Sequence, residues 1–263
     1  MSAAVLARPA EPGTGTVFLR AAGAEWVRLR TVRTTWACLL AATVVIVGLG
    51  AIAAADEAEG TATAANPIVS TFAGEYGVLL GQFGLLVLAL LAVTQEYASG
   101  SIGPTLQWTP RRGVLLAARV AVPTVVATVT GVLLALTADV VALLIDPELT
   151  LPLEDAVAGL ARIAAVLVAG SLLAVGVGLL LRSTAAGLAT VFLLQLVLPF
   201  LMQSFGVGWL NDVALWLPGT GAVRTLLGEP DSMSLGGALA LQAGWSAAAL
   251  AAGGWRLLRR DAG

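Results

Sequence analysis

The segment Gln95–Arg112, QEYASGSIGPTLQWTPRR, decides the fold through what stands on either side of it. Gly74–Thr94 runs up to it and Val114–Leu136 leads away from it. Each is apolar over the length, about 20 residues, that crosses a hydrocarbon core of about 30 Å. The segment itself carries one acid, two adjacent arginines, two glycines and two prolines, and offers no catalytic set. Two membrane-crossing helices joined by a short, folded, positively charged platform is the expected arrangement, with the platform held at the inner membrane face as a docking surface.

Working outward, four more stretches have the same length and character: Thr35–Ala55, Val157–Leu181, Ala185–Phe205 and Leu235–Trp255. The 263-residue chain is 58% hydrophobic and 11% charged, whereas about a quarter of a soluble domain is charged. The reading is an all-α integral membrane protein with six transmembrane helices in a single domain over residues 17–263. Residues 1–16, small and rich in Pro and Gly, are expected to be a disordered cytoplasmic tail.

The charges orient the spans. Of the fourteen basic residues, twelve fall on one side when the loops are taken alternately: Arg8, Arg20, Arg28, Arg30, Arg33, Arg111, Arg112, Arg119, Arg182, Arg256, Arg259 and Arg260. Only Arg162 and Arg224 fall on the other, which collects acids such as Asp56, Glu75, Asp139, Asp146, Glu154, Asp155, Asp212 and Glu229. Basic loops resist translocation, so both termini are expected in the cytoplasm. The chain has no histidine and no lysine. That excludes a Walker A nucleotide loop, His-based zinc sites and Ser–His dyads. The single Cys38 cannot form an internal disulfide.

Phe18, Ala22, Trp26 and Leu29 recur at helical spacing within Val17–Arg33, bordered by arginines. This suits an amphipathic helix in the membrane interface, the alternative being a solvated basic tail. Ala53–Ala55 mimics a signal-peptidase site, but the polar and apolar runs before it are long for a signal peptide. Small residues form stripes in the second span (Gly74, Gly77, Gly81, Gly84), the fourth (Gly170, Ala174, Gly178) and the sixth (Gly237, Ala240, Gly244, Ala251), read as packing between helices of one chain. Trp245 reads as a buried packing residue.

Polar residues inside spans need protein or water as partners. Gln195, Pro199 and Gln203 lie at intervals of four on the fifth span, where the proline frees a carbonyl. Thr124 and Thr128 make a weaker stripe on the third. Both sets suit either a polar path or helix–helix hydrogen bonds. Arg162 is expected to reach outward toward Asp155. Between the last two spans, Gly206–Ser234 is too apolar for a free loop and too interrupted for a seventh span. Two short helices dipping into the outer leaflet, carrying Trp216, Leu217 and Pro218 and turning at Leu217–Pro218–Gly219, fit it, and a surface-lying segment is the alternative.

These residues together resemble the type-2 ABC exporter permeases, over about Val17 to Arg260. The motif carrying the likeness is Glu96, Gly100, Ser101, Ile102, Thr105, Leu106, Pro110, Arg111 and Arg112, followed by a small-residue run with Arg119; the Leu217–Pro218 step is also similar. Ser101 and Arg119 stand where threonine and lysine are commoner. The resemblance implies that the first cytoplasmic loop is a coupling helix seated in a cleft of a separate ATPase, with Ile102, Leu106 and Trp108 as its apolar contacts. Glu96 would brace it by pairing with Arg111 or Arg112. It implies two ATPase copies that hold the ATP and magnesium, a second permease copy (identical or related), and contact with lipids rather than nucleic acid. This chain would then bind no cofactor or metal and catalyse nothing. Its location would be the bacterial inner membrane, and its task the translocation of a hydrophobic or amphiphilic substrate. Two other classes compete. An intramembrane enzyme would place paired carboxylates at mid-span, whereas the charges here gather at span ends. A non-transporting assembly or immunity protein that sequesters a peptide or lipid would need no structured inner platform.

Overall fold

Each apolar stretch is long enough for six or seven helical turns and is rich in Leu, Ala and Val, so its backbone can satisfy itself only as helix where no water is present. A computed structural model of the chain describes residues 13–58, 68–98, 112–229 and 233–259. Among these residues every regular element is a helix: α1 Thr14–Thr31, α2 Arg33–Ala58, α3 Thr71–Ala98, α4 Arg112–Ile145, α5 Leu153–Leu181, α6 Thr184–Ser204, α7 Gly208–Ala214, α8 Pro218–Leu227 and α9 Leu235–Arg259. Six of them (α2 to α6 and α9) are long and apolar enough to cross a membrane, the architecture of a multi-pass membrane protein. Residues 99–111, including Gly100, Ser101, Ile102, Thr105, Leu106, Trp108, Pro110 and Arg111, lie outside the described residues, as does the tail before Gly13.

The bundle has a centre and a rim. In α3, 72% of the most apolar window is buried and in α5 67%, whereas α2, α4, α6 and α9 bury only 17–28% of theirs. The last four therefore surround the first two and leave wide apolar faces uncovered. The main core runs from Ala42 and Ile46 of α2 through Val78 and Leu85 of α3 to Ala135 of α4 and Ile163 and Leu167 of α5. It continues into Ala222 and Leu226 of α8.

Glycines set how close the helices come. A Cβ on Gly77 would collide with the Ile46 carbonyl oxygen, and one on Gly81 with Ile46 Cγ1, so these two glycines of α3 seat α2, while Gly74 lies against Ala135 and Asp139 of α4. Gly176 and Gly253 do the same for α5 and α9, where a Cβ on Gly253 would lie 2.5 Å from the Gly176 carbonyl oxygen. The stripe expected in the last span lies on nearly the opposite face of the helix from the one that packs. Gly237, Ala240, Gly244 and Ala251 are exposed, and α9 instead packs through Ala238, Gln242, Ser246 and Gly253. The polar members explain the rotation, since Ser246 donates to the Ala169 carbonyl and Gln242 to Thr225 Oγ1.

The N-terminal helix also differs from its periodic reading. Glu25 and Leu29 face the bundle, while Leu19 and Trp26 remain uncovered. An acid at 25 has partners inside the protein, and these turn α1 toward it. Helix α2 runs unbroken through Ala53–Ala55, with Ala54 buried against Ala73, Ala142 and Leu149. At the same end the segments before α3 and α5 touch, where Ser70 N–H donates to Thr150 O and Thr150 N–H to Ile68 O.

The glycine contacts give a paired test. Gly77→Ala puts a methyl onto the α2 backbone and should lower the melting temperature in detergent, at a cost of about 1–3 kcal/mol for overpacking. Gly244→Ala, where nothing lies within 4 Å of the added methyl, should be neutral or slightly stabilising through helix propensity. Equal melting of the two variants would mean that α2 does not seat on the stripe.

Candidate functional site

The fifth span departs from regular helix at the residues singled out by sequence. Pro199 has no N–H and its ring excludes the carbonyl four residues earlier, that of Gln195. The chain widens there into a π-helical turn over Leu193–Val197, closed by Leu198 N–H donating to Leu193 O. The Gln195 carbonyl is turned against α8, so closely that a Cβ on Gly219 would collide with that oxygen. Such widened turns recur at functional sites.

Helix α8 fits this notch because it begins with proline and small residues. Leu217, extended, leads into Pro218 as the first helical residue, where a missing N–H costs nothing. Pro218, Gly219, Thr220, Gly221 and Ala222 are all buried against the bundle. Thr220 Oγ1 donates to Ala214 O, and Trp245 Nε1–H donates 2.8 Å to Trp216 O, tying the α7–α8 corner down. Trp245 is thus a half-buried tether rather than a packing residue alone. The ring of Trp216 is 74% exposed while Leu217 is buried. The expected turn of two short helices is present, with α7 on the surface and α8 inside the bundle.

Between α3, α6 and α8 lies a cavity of about 860 Å³. Gln195, Pro199 and Gln203 all line it, together with Leu79, Leu80 and Gln82 of α3, the start of α8, and Glu229. Thr124 and Thr128 are not among its lining residues; their hydroxyls are buried in α4 without a hydrogen-bond partner. Gln82 is 2% exposed; its Nε2 donates 3.0 Å to the Leu79 carbonyl and its Oε1 has no partner. Gln195 is 9% exposed, also with an unpartnered Oε1. Orphaned buried oxygens of this kind are rare because each costs about 1–3 kcal/mol.

The other end of α3 carries a buried charge quartet. The Glu96 carboxylate receives Arg28 on one oxygen and Arg119 on the other. Glu25 completes the group, paired with Arg28 and 3.4 Å from Arg119 Nε. Arg119 is 1% exposed. Arg28 also donates to the Ala92 carbonyl in the last turns of α3, where a cation suits the negative end of the helix dipole. Glu96 therefore takes partners 68 residues before it and 23 after it; Arg111, one of its expected partners, lies outside the described residues. Burial pushes the Glu25 carboxyl above its ordinary value, opposed by Arg28 and Arg119. The quartet fastens α1 to the helices on either side of the platform segment, with Arg112 as the first residue of α4.

The outer-side charges are corrected in the same way. Arg162 pairs with Glu75 of α3 rather than reaching Asp155. Asp139 is not in a loop: it is 1% exposed within α4, and its Oδ1 accepts 2.8 Å from Gly74 N–H at the start of α3. The sequence reading missed Glu25 and Gln82. A lone acid in an arginine-rich helix and a lone amide beside a glycine stripe were the signals that could have found them.

Removing one quartet member should show its energetic role. Arg119→Met leaves two carboxylates short of a buried cation and should cost about 3–5 kcal/mol, as for breaking a buried pair. Adding Glu25→Met should recover part of that loss, because the remaining Arg28–Glu96 pair is matched in charge. A double variant no more stable than the single one in thermal unfolding would count against the quartet as one coupled unit.

The chain matches no family model and no curated protein sequence.

Proposed function

We propose that this chain is the membrane-spanning subunit of an ATP-driven exporter, working with a separate ATPase and a second permease copy. The observation that carries the reading is that α3 joins the two features just described. Its one end is Glu96, locked through the quartet to α1 and α4, the latter beginning where the platform segment ends. Its other half supplies Leu79, Leu80 and Gln82 to the cavity. Gln82 and Glu96 are fourteen residues apart in one helix, about 21 Å at 1.5 Å per residue. A push on the platform would be delivered by a buried, rigid rod to the cavity wall.

In this reading the quartet converts the docking of Ser101–Arg112 on the ATPase into movement of α1, α3 and α4 as a unit. The π-helical turn of α6 gives the facing wall a place to bend. Gln195, Pro199 and Gln203 form the polar side of the path. Helices α7 and α8 act as a re-entrant outer segment. The widely uncovered apolar faces of α2, α4, α6 and α9 meet lipid or the second copy. The basic side faces the cytoplasm of a bacterial cell, at the inner membrane.

Orientation is tested with single cysteines in a Cys38→Ala background. An impermeant maleimide applied to intact cells should label the exposed position 148 and leave position 111 unlabelled until the cells are opened. The reverse pattern inverts the topology and with it the cytoplasmic platform.

Coupling is tested at the platform. Ile102→Asp with Leu106→Asp places two charges into a desolvated cleft, each costing several kcal/mol unless paired. Co-purification with an ATPase bearing Walker motifs, and its stimulated ATP hydrolysis, should be abolished while the six helices still insert. Undiminished co-purification and turnover would remove the coupling role. If the unaltered chain retains no ATPase, a sequestering membrane protein becomes the better reading.

A further inference from the structure

We propose that the cleft where α3, α5, α8 and α9 meet, with the groove that continues from it between α5 and α9, holds a phospholipid whose head group carries a primary ammonium beside its phosphate. This goes beyond the exporter reading and depends neither on it nor on which way the chain faces.

The cleft, about 310 Å³, is lined by Glu75, Arg162, Arg224 and the last turn of α8, and by Leu235 at the start of α9. One hydrogen bond joins Arg162 to Glu75, from Nη2 to Oε1. Arg162 Nε is enclosed, whereas Arg162 Nη1 and Glu75 Oε2 have no partner among the described residues and keep accessible surface. The arginine side chain is 37% exposed and the glutamate 9%. Arg224, which also donates to Gly228 O, adds a second guanidinium. Thr225 is already committed, since its Oγ1 donates to Gly221 O and accepts from Gln242. The cleft therefore presents a carboxylate oxygen and guanidinium N–H groups side by side.

The groove begins about one turn further along both helices. Arg162 is followed by Ala165 on α5, and Leu235 by Leu239 on α9. Ala165, Val168 and Leu172 line one side of it and Leu239, Ala243 and Ala247 the other, around about 530 Å³ of space. Ser246, on the same lining, is bonded to the Ala169 and Gln242 carbonyls. Leu239 and Leu250 both line it and are eleven residues apart, about 16 Å at 1.5 Å per residue. That is about half of a hydrocarbon core of about 30 Å, the depth one acyl chain reaches.

Both signs of charge at the cleft and an apolar channel leading from it narrow the occupant. A head group with only negative charge meets the Glu75 carboxylate, and one with only positive charge meets two guanidiniums. A zwitterion answers both, its ammonium on Glu75 Oε2 and its phosphate on the arginines, where charge-assisted hydrogen bonds are strongest. Phosphatidylcholine brings both charges, but its trimethylammonium has no N–H to give the carboxylate. Phosphatidylglycerol brings no cation. A free amino acid would leave the groove unfilled, and a helix of a second copy would fill the groove but leave the cleft unanswered. Phosphatidylethanolamine uses both parts, as basic pockets between membrane helices do for other head groups.

The test is native mass spectrometry of the full chain, released from detergent after incubation with equimolar dioleoyl phosphatidylethanolamine, phosphatidylcholine and phosphatidylglycerol. Phosphatidylethanolamine should be retained about fivefold or more over each of the others. Glu75→Gln removes the partner of the ammonium and should bring the ratio to phosphatidylcholine toward one. Because Glu75 is buried and paired with Arg162, Ala243→Phe with Ala247→Phe serves as a second variant. Both positions are exposed, so the pair fills the groove without disturbing the bundle. It should lower retention about fivefold or more at an unchanged melting temperature. Glycerophosphoethanolamine, the head group without chains, should not displace the lipid when present in excess. Equal retention of the three lipids, an unchanged ratio in folded Glu75→Gln, or unchanged retention in the double groove variant would each overturn the proposal. Displacement by glycerophosphoethanolamine would also overturn it, by placing recognition in the cleft alone. So would loss of a dimer in the double groove variant with lipid retained, which would give the groove to a second copy.

Discussion

Inside a bilayer a polar atom finds no water, so every amide, carboxylate and guanidinium in this bundle must be answered by protein or stand as an uncompensated cost. The positions of the helices follow from how those demands are met. Asp139 is accommodated in α4 because the first turn of α3 presents Gly74 N–H to it. Ser246 turns α9 so that its hydroxyl reaches Ala169. Arg119 lies two turns inside α4 and is held by Glu96 and Glu25. The amide oxygens of Gln82 and Gln195 are left without such an answer, and both residues border the same cavity.

Helix α3 takes the central place because it combines a glycine edge with aliphatic residues on its remaining faces. The glycines admit the α2 backbone, while Leu85, Leu86, Leu88 and Leu90 fill the space toward the other helices. It is fastened to α1 and α4 at Glu25 and Glu96, and it packs on α6 through contacts such as the stacked rings of Phe83 and Phe192. The π-helical turn and Pro199 interrupt the regular helix of α6 on the opposite wall of the cavity.

Much of this was legible in the sequence. The apolar runs located six helices, the glycine spacing of the second span marked a face packed within the chain, and Pro199 located the break in the fifth. Those signals are local: each depends on a residue and its near neighbours along one helix. The failures are mostly pairings across helices. Arg162 could be given Asp155 by proximity in sequence, but the bundle brings Glu75 to it. The carboxylate of Glu96 meets Arg28 and Arg119, partners on two other helices that no local spacing names. Periodicity also put the seam of α9 on nearly the opposite face, because an alanine-rich helix has small residues on every face and only Gln242 and Ser246 mark the side that packs.

The same logic explains why the two ends of α3 differ. At the quartet, two cations and two anions are enclosed together, so the desolvation of each is offset by opposite charge and the arrangement favours one geometry over neighbouring ones. Beside the cavity, two neutral amide oxygens are enclosed without partners, and each costs less than a stranded charge would. The matched set holds α1, α3 and α4 in one register, since sliding one member would strand the other three. Neutral amides in its place would leave those helices weakly and less exclusively paired.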